Sequence, residues 1–512
     1  MLVKTYSSAV YGVDAKTITV EVDVGRGSKY FMVGLPDNAV KESQQRIDAA
    51  LKNTGFQMTR KKIIINLAPA DIRKEGSSFD LPIAMGILSA SGQVDKEKMA
   101  EYILIGELSL DGNLKPIKGA LPIAINARNE GFKGMILPKE NECEAAIVDK
   151  LDIYGIGNIM EAVQFFNGDV ELVPKVIDTR ELFYNNINDY QLDFVDVKGQ
   201  ENIKRALEIA AAGGHNAIMI GAPGSGKTML AKRIPSILPP LDLFEALETT
   251  KIFSVAGKMI SDSTLMTTRP FRSPHHTVSD VALVGGGNIP QPGEISLSHN
   301  GVLFLDELPE FKRTVLEVLR QPMEERRITI SRAKFSVEYP ASFMLIAAMN
   351  PCPCGYYNHP EKECVCSPGT VQKYLNKISG PLLDRIDLHI EVVPISFDEL
   401  THKQAGEKSS TVRDRVITAR EIQTSRFKEY KGIYNNAQMT TKMIKDFCQI
   451  STAGNNLLKT AMEKLNLSAR AYDRILKVSR TIADLAESKE VKIEFLAEAI
   501  HYRSLDRENW AG

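Results

Sequence analysis

The chain lacks a surplus of charge of either sign. Its 63 lysines and arginines stand against 64 aspartates and glutamates, a formal net charge of -1. No global basic field therefore recruits a polyanion, and any nucleic-acid contact must come from a local patch. Long apolar runs are also missing. No stretch reaches the roughly 18–20 apolar residues that a membrane-spanning helix needs. The start, Met1-Leu2-Val3-Lys4-Thr5-Tyr6, has no basic region leading into an apolar core, as a secretory signal would. A cytoplasmic protein with no membrane partner is expected. Internal repeats and low-complexity tracts are absent. Cysteine is scarce, with six in 512 residues, yet four of them fall between positions 352 and 366. In a cytosolic chain such clustering points to a metal more than to disulfides. What remains is ordinary for a soluble globular protein: 43% hydrophobic and 25% charged residues, in a chain long enough for two or three domains.

Four blocks follow from patterning. Residues 1–170 mix short strands and helices. Ile18 to Val24 alternates as a half-buried strand does, Lys62 to Leu67 reads as a more buried strand, and Leu81 to Ala90 is apolar enough for a core helix. Residues 171–192 read as a linker, broken by Asp178, Asn185, Asn186, Asn188 and Asp189. Residues 193–397 alternate apolar strands with polar loops, and residues 398–512 carry only helical patterns.

The third block holds the chemistry. Ala217-Ile218-Met219-Ile220 suits a buried parallel strand and leads into Gly221-Ala222-Pro223-Gly224-Ser225-Gly226-Lys227-Thr228. This fits the phosphate-binding pattern G-x-x-x-x-G-K-[ST] completely. Glycines let backbone N–H groups turn inward around phosphates, and the following helix adds positive potential at its N-terminus. Lys227 is expected to reach the β- and γ-phosphates and Thr228 to ligate Mg²⁺. Downstream, Val302-Leu303-Phe304-Leu305 ends in Asp306-Glu307. Asp306 is expected to hold Mg²⁺ and Glu307 to polarise the attacking water, so the chain should hydrolyse ATP and not merely bind it. A third apolar run, Met344 to Met349, ends at Asn350, which either orients the lytic water or initiates a turn before Pro351.

Cys352-Pro353-Cys354 and Cys364-Val365-Cys366 form two close thiol pairs that suit one tetrahedral Zn²⁺; redox-active thiols are the rival reading. His275 and His276 are adjacent and read as structural or interface residues, because neighbouring histidines on a loop seldom chelate one ion. Two basic segments are candidates for DNA contact. One is the period-two pair of runs across residues 327–340, with Arg332 and Lys334 where a hairpin tip would lie. The other is the helical stretch Val412 to Lys431, whose charges also suit a solvated face.

With these motifs in place, the chain resembles AAA+ ATPases, and within them the magnesium-chelatase-like branch that includes the ComM/YifB proteins. Arg269-Pro270-Phe271-Arg272-Ser273-Pro274-His275-His276-Thr277, Gly285-Gly286-Gly287, Pro292 to Leu297, Gly380 to Asp387 and Ser468 to Val478 carry the resemblance, which spans essentially the whole chain. The resemblance implies an α/β AAA+ P-loop core with a C-terminal helical lid. It further implies that Arg385 is an arginine finger acting on a neighbouring subunit, hence a homo-hexamer, and that Arg470 is the lid's sensor arginine, with Arg474 as rival. Residues 71–140 resemble the Lon-type protease domain, an α+β fold of ribosomal S5 type, with Ser78 in the nucleophile position. The catalytic lysine position falls on Leu121, and a serine without a base in reach stays protonated; residues 1–170 are thus expected to be an inactive relative of that fold. Lys118, three residues away, could approach the same face if it were helical. Together these likenesses imply an ATP-dependent DNA motor, a helicase or branch-migration enzyme linked to competence, with single-stranded or branched DNA and recombination proteins as partners. The alternatives are remodelling of a protein partner and chelatase-like metal insertion.

Overall fold

The computed structural model describes residues 1–186, 190–259, 265–287, 290–332, 335–357, 359, 361–394 and 406–503. Its contacts divide it into two compact units, Met1–Asn186 with Leu243–Thr267, and Ile187–Asp242 with Thr268–Gly512.

The first unit is built on a seven-stranded sheet among the described residues. Its strands are β1 (Leu2–Tyr11), β2 (Asp14–Gly25), β3 (Tyr30–Val33), β4 (Lys62–Ala68), β5 (Tyr102–Leu104), β8 (Gly134–Pro138) and β9 (Asp152–Ile156), with a small ribbon of β6 (Glu107–Leu108) and β7 (Leu114–Lys115) beside it. The order is β3-β4-β2-β1-β5-β8-β9. Pairing is antiparallel through β1, β2 and β4 and parallel on both flanks. The alternation foreseen in β2 is present: Ile18, Val20, Val22 and Val24 are buried, because side chains of one strand point to opposite faces in turn. Helix Asp80–Ala90 is buried at every position, which is why it has no polar stripe. The expected linker contains helix Thr179–Asn186. Asp178, read as a breaker, accepts from the backbone N–H groups of Arg180 and Glu181 and caps helix Thr179–Asn186.

Helix Leu243–Ala256 belongs to this unit and packs on helix Ala120–Asn129. The buried Glu144 carboxylate joins them, accepting from the Leu121 N–H at 2.9 Å and from the Ser254 hydroxyl. Burial pushes the Glu144 carboxyl up, against the pull of Ser254 and Leu121. No change of composition in the sequence announces that residues 243–267 pack with the first unit.

The second unit centres on five parallel strands in the order β11-β14-β17-β10-β18. They are β10 (Ala217–Gly221), β11 (Phe271–Arg272), β14 (Val302–Leu305), β17 (Met344–Met349) and β18 (Leu388–Val392). Two ribbons leave the sheet, β12 (Gly285–Gly286) with β13 (Gln291–Pro292), and β15 (Arg327–Arg332) with β16 (Phe335–Pro340). Strands β10, β14 and β17 are buried along their whole length, as their continuous apolar runs require when both sheet faces are covered. The C-terminal helices, including Ser409–Phe427, Ala469–Leu485 and Ile493–His501, do not form a separate core. One apolar cluster runs from Ala217 and Met219 through Val416, Ile475 and Ile482 to Leu496.

Candidate functional site

Parallel strands put their carboxyl ends on one edge, where open α/β sheets bind ligands. Register brings the three motif strands level there: Ile220 lies opposite Met349, and Leu305 opposite Ala347. The phosphate-binding loop, Asp306 and Asn350 therefore converge without any long side chain having to reach. Gly226 makes the loop possible, since it caps helix Lys227–Arg233 at φ 90, a left-handed geometry that a side chain resists.

Thr228 Oγ1 donates to Asp306 Oδ2 at 2.6 Å, so the two expected Mg²⁺ ligands already touch. Lys227 Nζ is folded into its own loop, donating to the carbonyls of Gly221 at 2.7 Å and Ala222 at 2.9 Å and to Asn350 Oδ1 at 3.3 Å. Burial pulls the Lys227 ammonium below its usual range, with Asp306 opposing; an anion arriving at the loop restores what burial removes. Glu307 follows Asp306 in a left-handed conformation, φ 52, and its carboxylate lies 3.2 Å from His276 Nδ1. His276 thus contacts the catalytic candidate. Gln200, which nothing in the sequence singled out, donates from Nε2 to the Ser225 carbonyl at 2.9 Å and braces the loop. Its own left-handed backbone, φ 58, is a local signature that only coordinates reveal.

The arginines separate clearly. Arg385 is buried, 7% exposed at its side chain, paired with Glu324 at 2.7 Å and donating to the Pro381 carbonyl at 2.6 Å. Arg474 is spent on Asp387 at 2.9 Å. Asp387 also receives the Asn216 N–H and faces His215 at 3.5 Å. Arg470 is 60% exposed, and among the described residues its ion pair is with Asp384 at 3.9 Å.

The four clustered cysteines place their sulfurs within 4.8 Å of one another. Tetrahedral zinc, with Zn–S near 2.3 Å, sets sulfurs about 3.8 Å apart, so the spacing fits. Their chemistry fits as well. The Tyr356 N–H helps draw the Cys354 thiol down to about 6. Cys364, although the Cys366 N–H favours its thiolate, is pushed up to about 12 by burial and by Cys354 and Cys352. Ionised Cys354 thus disfavours a second thiolate at Cys364 or Cys366 until a cation joins them.

Two sequence expectations meet a different setting, those for the basic helix and for Lys118, and one is met. The basic helix is Ser409–Phe427, and its cations are largely engaged within the unit: Arg415 pairs with Glu208 and Glu407, Arg426 with Asp484, and Arg420 donates to the Ala211 carbonyl. It is neither a free basic face nor a merely solvated one. The hairpin β15/β16 exists, paired from Arg327 opposite Pro340 to Arg332 opposite Phe335. Lys334 and the Arg332 side chain lie outside the described residues. In the first unit, Lys118 precedes helix Ala120–Asn129 and packs along Gly257, so it does not share Leu121's helical face. Among the described residues no side chain hydrogen-bonds to the Ser78 hydroxyl, and Leu121 is fully buried.

A phosphate-binding loop, an acidic strand end and a polar strand end on one edge of a parallel sheet define a P-loop ATPase. Residues 193–400 match the family "Magnesium chelatase, subunit ChlI", residues 20–141 match "Subunit ChlI of Mg-chelatase", and residues 406–503 match "Magnesium chelatase, subunit ChlI C-terminal". The competence protein ComM of Haemophilus influenzae is 45% identical over 98% of this chain and 97% of its own length. The protein YifB of Escherichia coli is 45% identical over the same shares. The 38 kDa magnesium-chelatase subunit of Rhodobacter capsulatus is 26% identical over 31% of this chain and 50% of its own. The chain belongs to the magnesium-chelatase-like ComM/YifB family of AAA+ ATPases, which work on ATP with Mg²⁺ and generally assemble into oligomers. No described helix is long and apolar enough to cross a membrane.

Proposed function

We propose that the protein is a hexameric, ATP-driven DNA motor that moves branched recombination intermediates. The observation that carries this reading is the likeness to a competence protein over 97% of that relative's length, against half of a chelatase subunit's. Metal insertion is the weaker reading for that reason.

In this reading Lys227 and the loop N–H groups would bind the β- and γ-phosphates, and Thr228 and Asp306 would hold Mg²⁺, which would supply positive charge beside the phosphoryl oxygens. Glu307 takes a proton from the attacking water, and Asn350 orients that water. Arg470 reaches the nucleotide from the lid. Arg385 acts on a neighbour's nucleotide after exchanging Glu324, an exposed partner, for phosphate oxygens. Cys352, Cys354, Cys364 and Cys366 hold a structural Zn²⁺. Residues 1–170 keep a Lon-like shape without peptidase chemistry, because the Leu121 position offers no base.

With the cations of helix Ser409–Phe427 engaged internally, DNA contact is assigned to the hairpin β15/β16, through Arg332 and Lys334 on sequence grounds. The test is steady-state ATPase with and without four-way-junction DNA. Stimulation that falls steeply with salt and is lost in Arg332→Ala/Lys334→Ala supports the reading. Neither binding nor stimulation at low salt would shift it to remodelling of a protein partner.

A further inference from the structure

The four-cysteine loop touches the phosphate-binding loop. It leaves β17 at Asn350, two residues before the buried Cys352. Gly355 N donates to the Cys352 carbonyl at 3.0 Å, closing the turn that carries Cys352 and Cys354. Gly355 then lies directly on Pro223, inside the phosphate-binding loop. A Cβ at 355 would stand 2.3 Å from Pro223 Cδ and 2.6 Å from Cγ. Those are ring atoms tied to the backbone, not the free end of a flexible side chain, so they cannot swing aside. Gly355 also has φ +85, where any side chain is strained. Two independent constraints thus require glycine at this position, and one of them is the contact itself.

The thiol loop has little else to hold it. Among the described residues from 351 to 366, only Cys352 and Gly355 are buried, and Val365 is 86% exposed. Apolar burial on that scale cannot order these described residues against chain entropy. The cross-link between the two cysteine pairs must do so, and metal binding at such a site is folding free energy for the loop. The opposite side of the phosphate-binding loop is braced separately, by Gln200 on the Ser225 carbonyl.

We infer that the cysteine-bound metal sets the affinity for nucleotide by pressing Gly355 against Pro223. The inference rests on the zinc reading above and adds a regulatory role to it. Sulfurs fix the turn, the turn fixes Gly355, and Gly355 fixes Pro223, next to the Ala222 carbonyl that holds Lys227. Loss of the metal releases that side of the loop. Asn350 stays at the end of a strand flanked by β10 and β14, so binding is expected to suffer more than turnover.

The experiment measures zinc content, equilibrium binding of a fluorescent ATP analogue, and the split of KM against kcat. It uses full-length protein before chelation, after chelation and after zinc is returned. Stripped protein is expected to bind the analogue about tenfold more weakly, with KM raised more than kcat is lowered, and added Zn²⁺ restores binding. Gly355→Ala is expected to keep its zinc yet show the same weakening. Pro223→Gly removes the ring that Gly355 presses on while leaving the cysteines intact, and is expected to keep its zinc yet bind the analogue about equally weakly with and without the metal. Purified protein without zinc would defeat the zinc reading itself. Zinc present, with binding unchanged within about twofold by chelation and by Gly355→Ala, would overturn the buttress alone. Pro223→Gly protein that loses affinity on chelation as far as the unmodified protein does would show that the metal acts by another route and would also overturn it.

Discussion

Arg474→Ala and Arg470→Ala are expected to fail in opposite ways. Arg474 is 20% exposed and ends on Asp387, which is fully buried and also faces His215 and the Asn216 N–H. Burial alone would raise the Asp387 carboxyl, but Arg474 first, then His215 and Asn216, hold it well below the usual carboxylate range. Removing the guanidinium leaves a buried charge without its main partner, a loss of about 3 kcal/mol at neutral pH. For a unit of this size that is a fall in Tm of roughly 5 °C. The sign with pH follows. A carboxyl depressed in the folded state contributes stability that is fully present above its unfolded value, about 3.9, and is lost as pH falls toward the folded value. The gap in Tm between the native protein and Arg474→Ala should therefore be widest near pH 7 and narrow below about pH 4. Arg470, exposed and only loosely paired, should change Tm by less than about 1–2 °C on replacement by Ala while ATP turnover falls. Scanning calorimetry across pH, with ATPase assays on both variants, reads out the pair. Equal Tm for the two variants at pH 7, or a gap that grows in acid, would refute the reasoning.

Other outcomes follow from the same geometry. Glu307→Gln should bind ATP with near-native affinity yet lose turnover by about 10²-fold or more, since proton transfer of this kind contributes about 10²–10⁴; native turnover would remove Glu307 from its role. Arg385→Ala should depress ATPase by about 10³-fold or more if the residue serves a neighbour's nucleotide, and subunits mixed with Lys227→Ala chains should recover part of it. Unchanged turnover in Arg385→Ala assemblies would leave its Glu324 pair as purely structural. Ser78→Ala should alter no peptidase signal, because Leu121 leaves the serine without a base, and peptide cleavage abolished by Ser78→Ala would contradict this.

The nucleotide motifs were legible because each is contiguous: an apolar run fixes a buried strand, and the residues that follow must emerge at its end. Gly221 to Thr228, Asp306 and Asn350 meet for that reason alone. The alternation in β2 and the apolar run from Leu81 to Ala90 were legible on the same grounds. Features that depend on partners distant in sequence were hidden. Arg415 and Arg426 look free on a helical wheel, and only the fold brings Glu208 and Asp484 to them. Gln200 has unremarkable sequence neighbours; Gly355, beside Cys354, reads as turn chemistry for the cysteine pairs, but its contact with Pro223 appears only in the fold. Helix Leu243–Ala256 lies between two nucleotide motifs in sequence yet packs with the first unit, through Glu144, a residue about a hundred positions away. Arg470 and Arg474 sit one turn apart with identical chemistry, and only the position of Asp387 tells them apart.

The central claim is that ATP turnover at this site drives movement of DNA. Its most direct test is migration of a synthetic four-way junction by the purified protein, with ATP, and with Lys227→Ala as control. Branch-migrated product that requires both ATP and Lys227 is expected. Ring assembly and normal ATP hydrolysis with no product would contradict it.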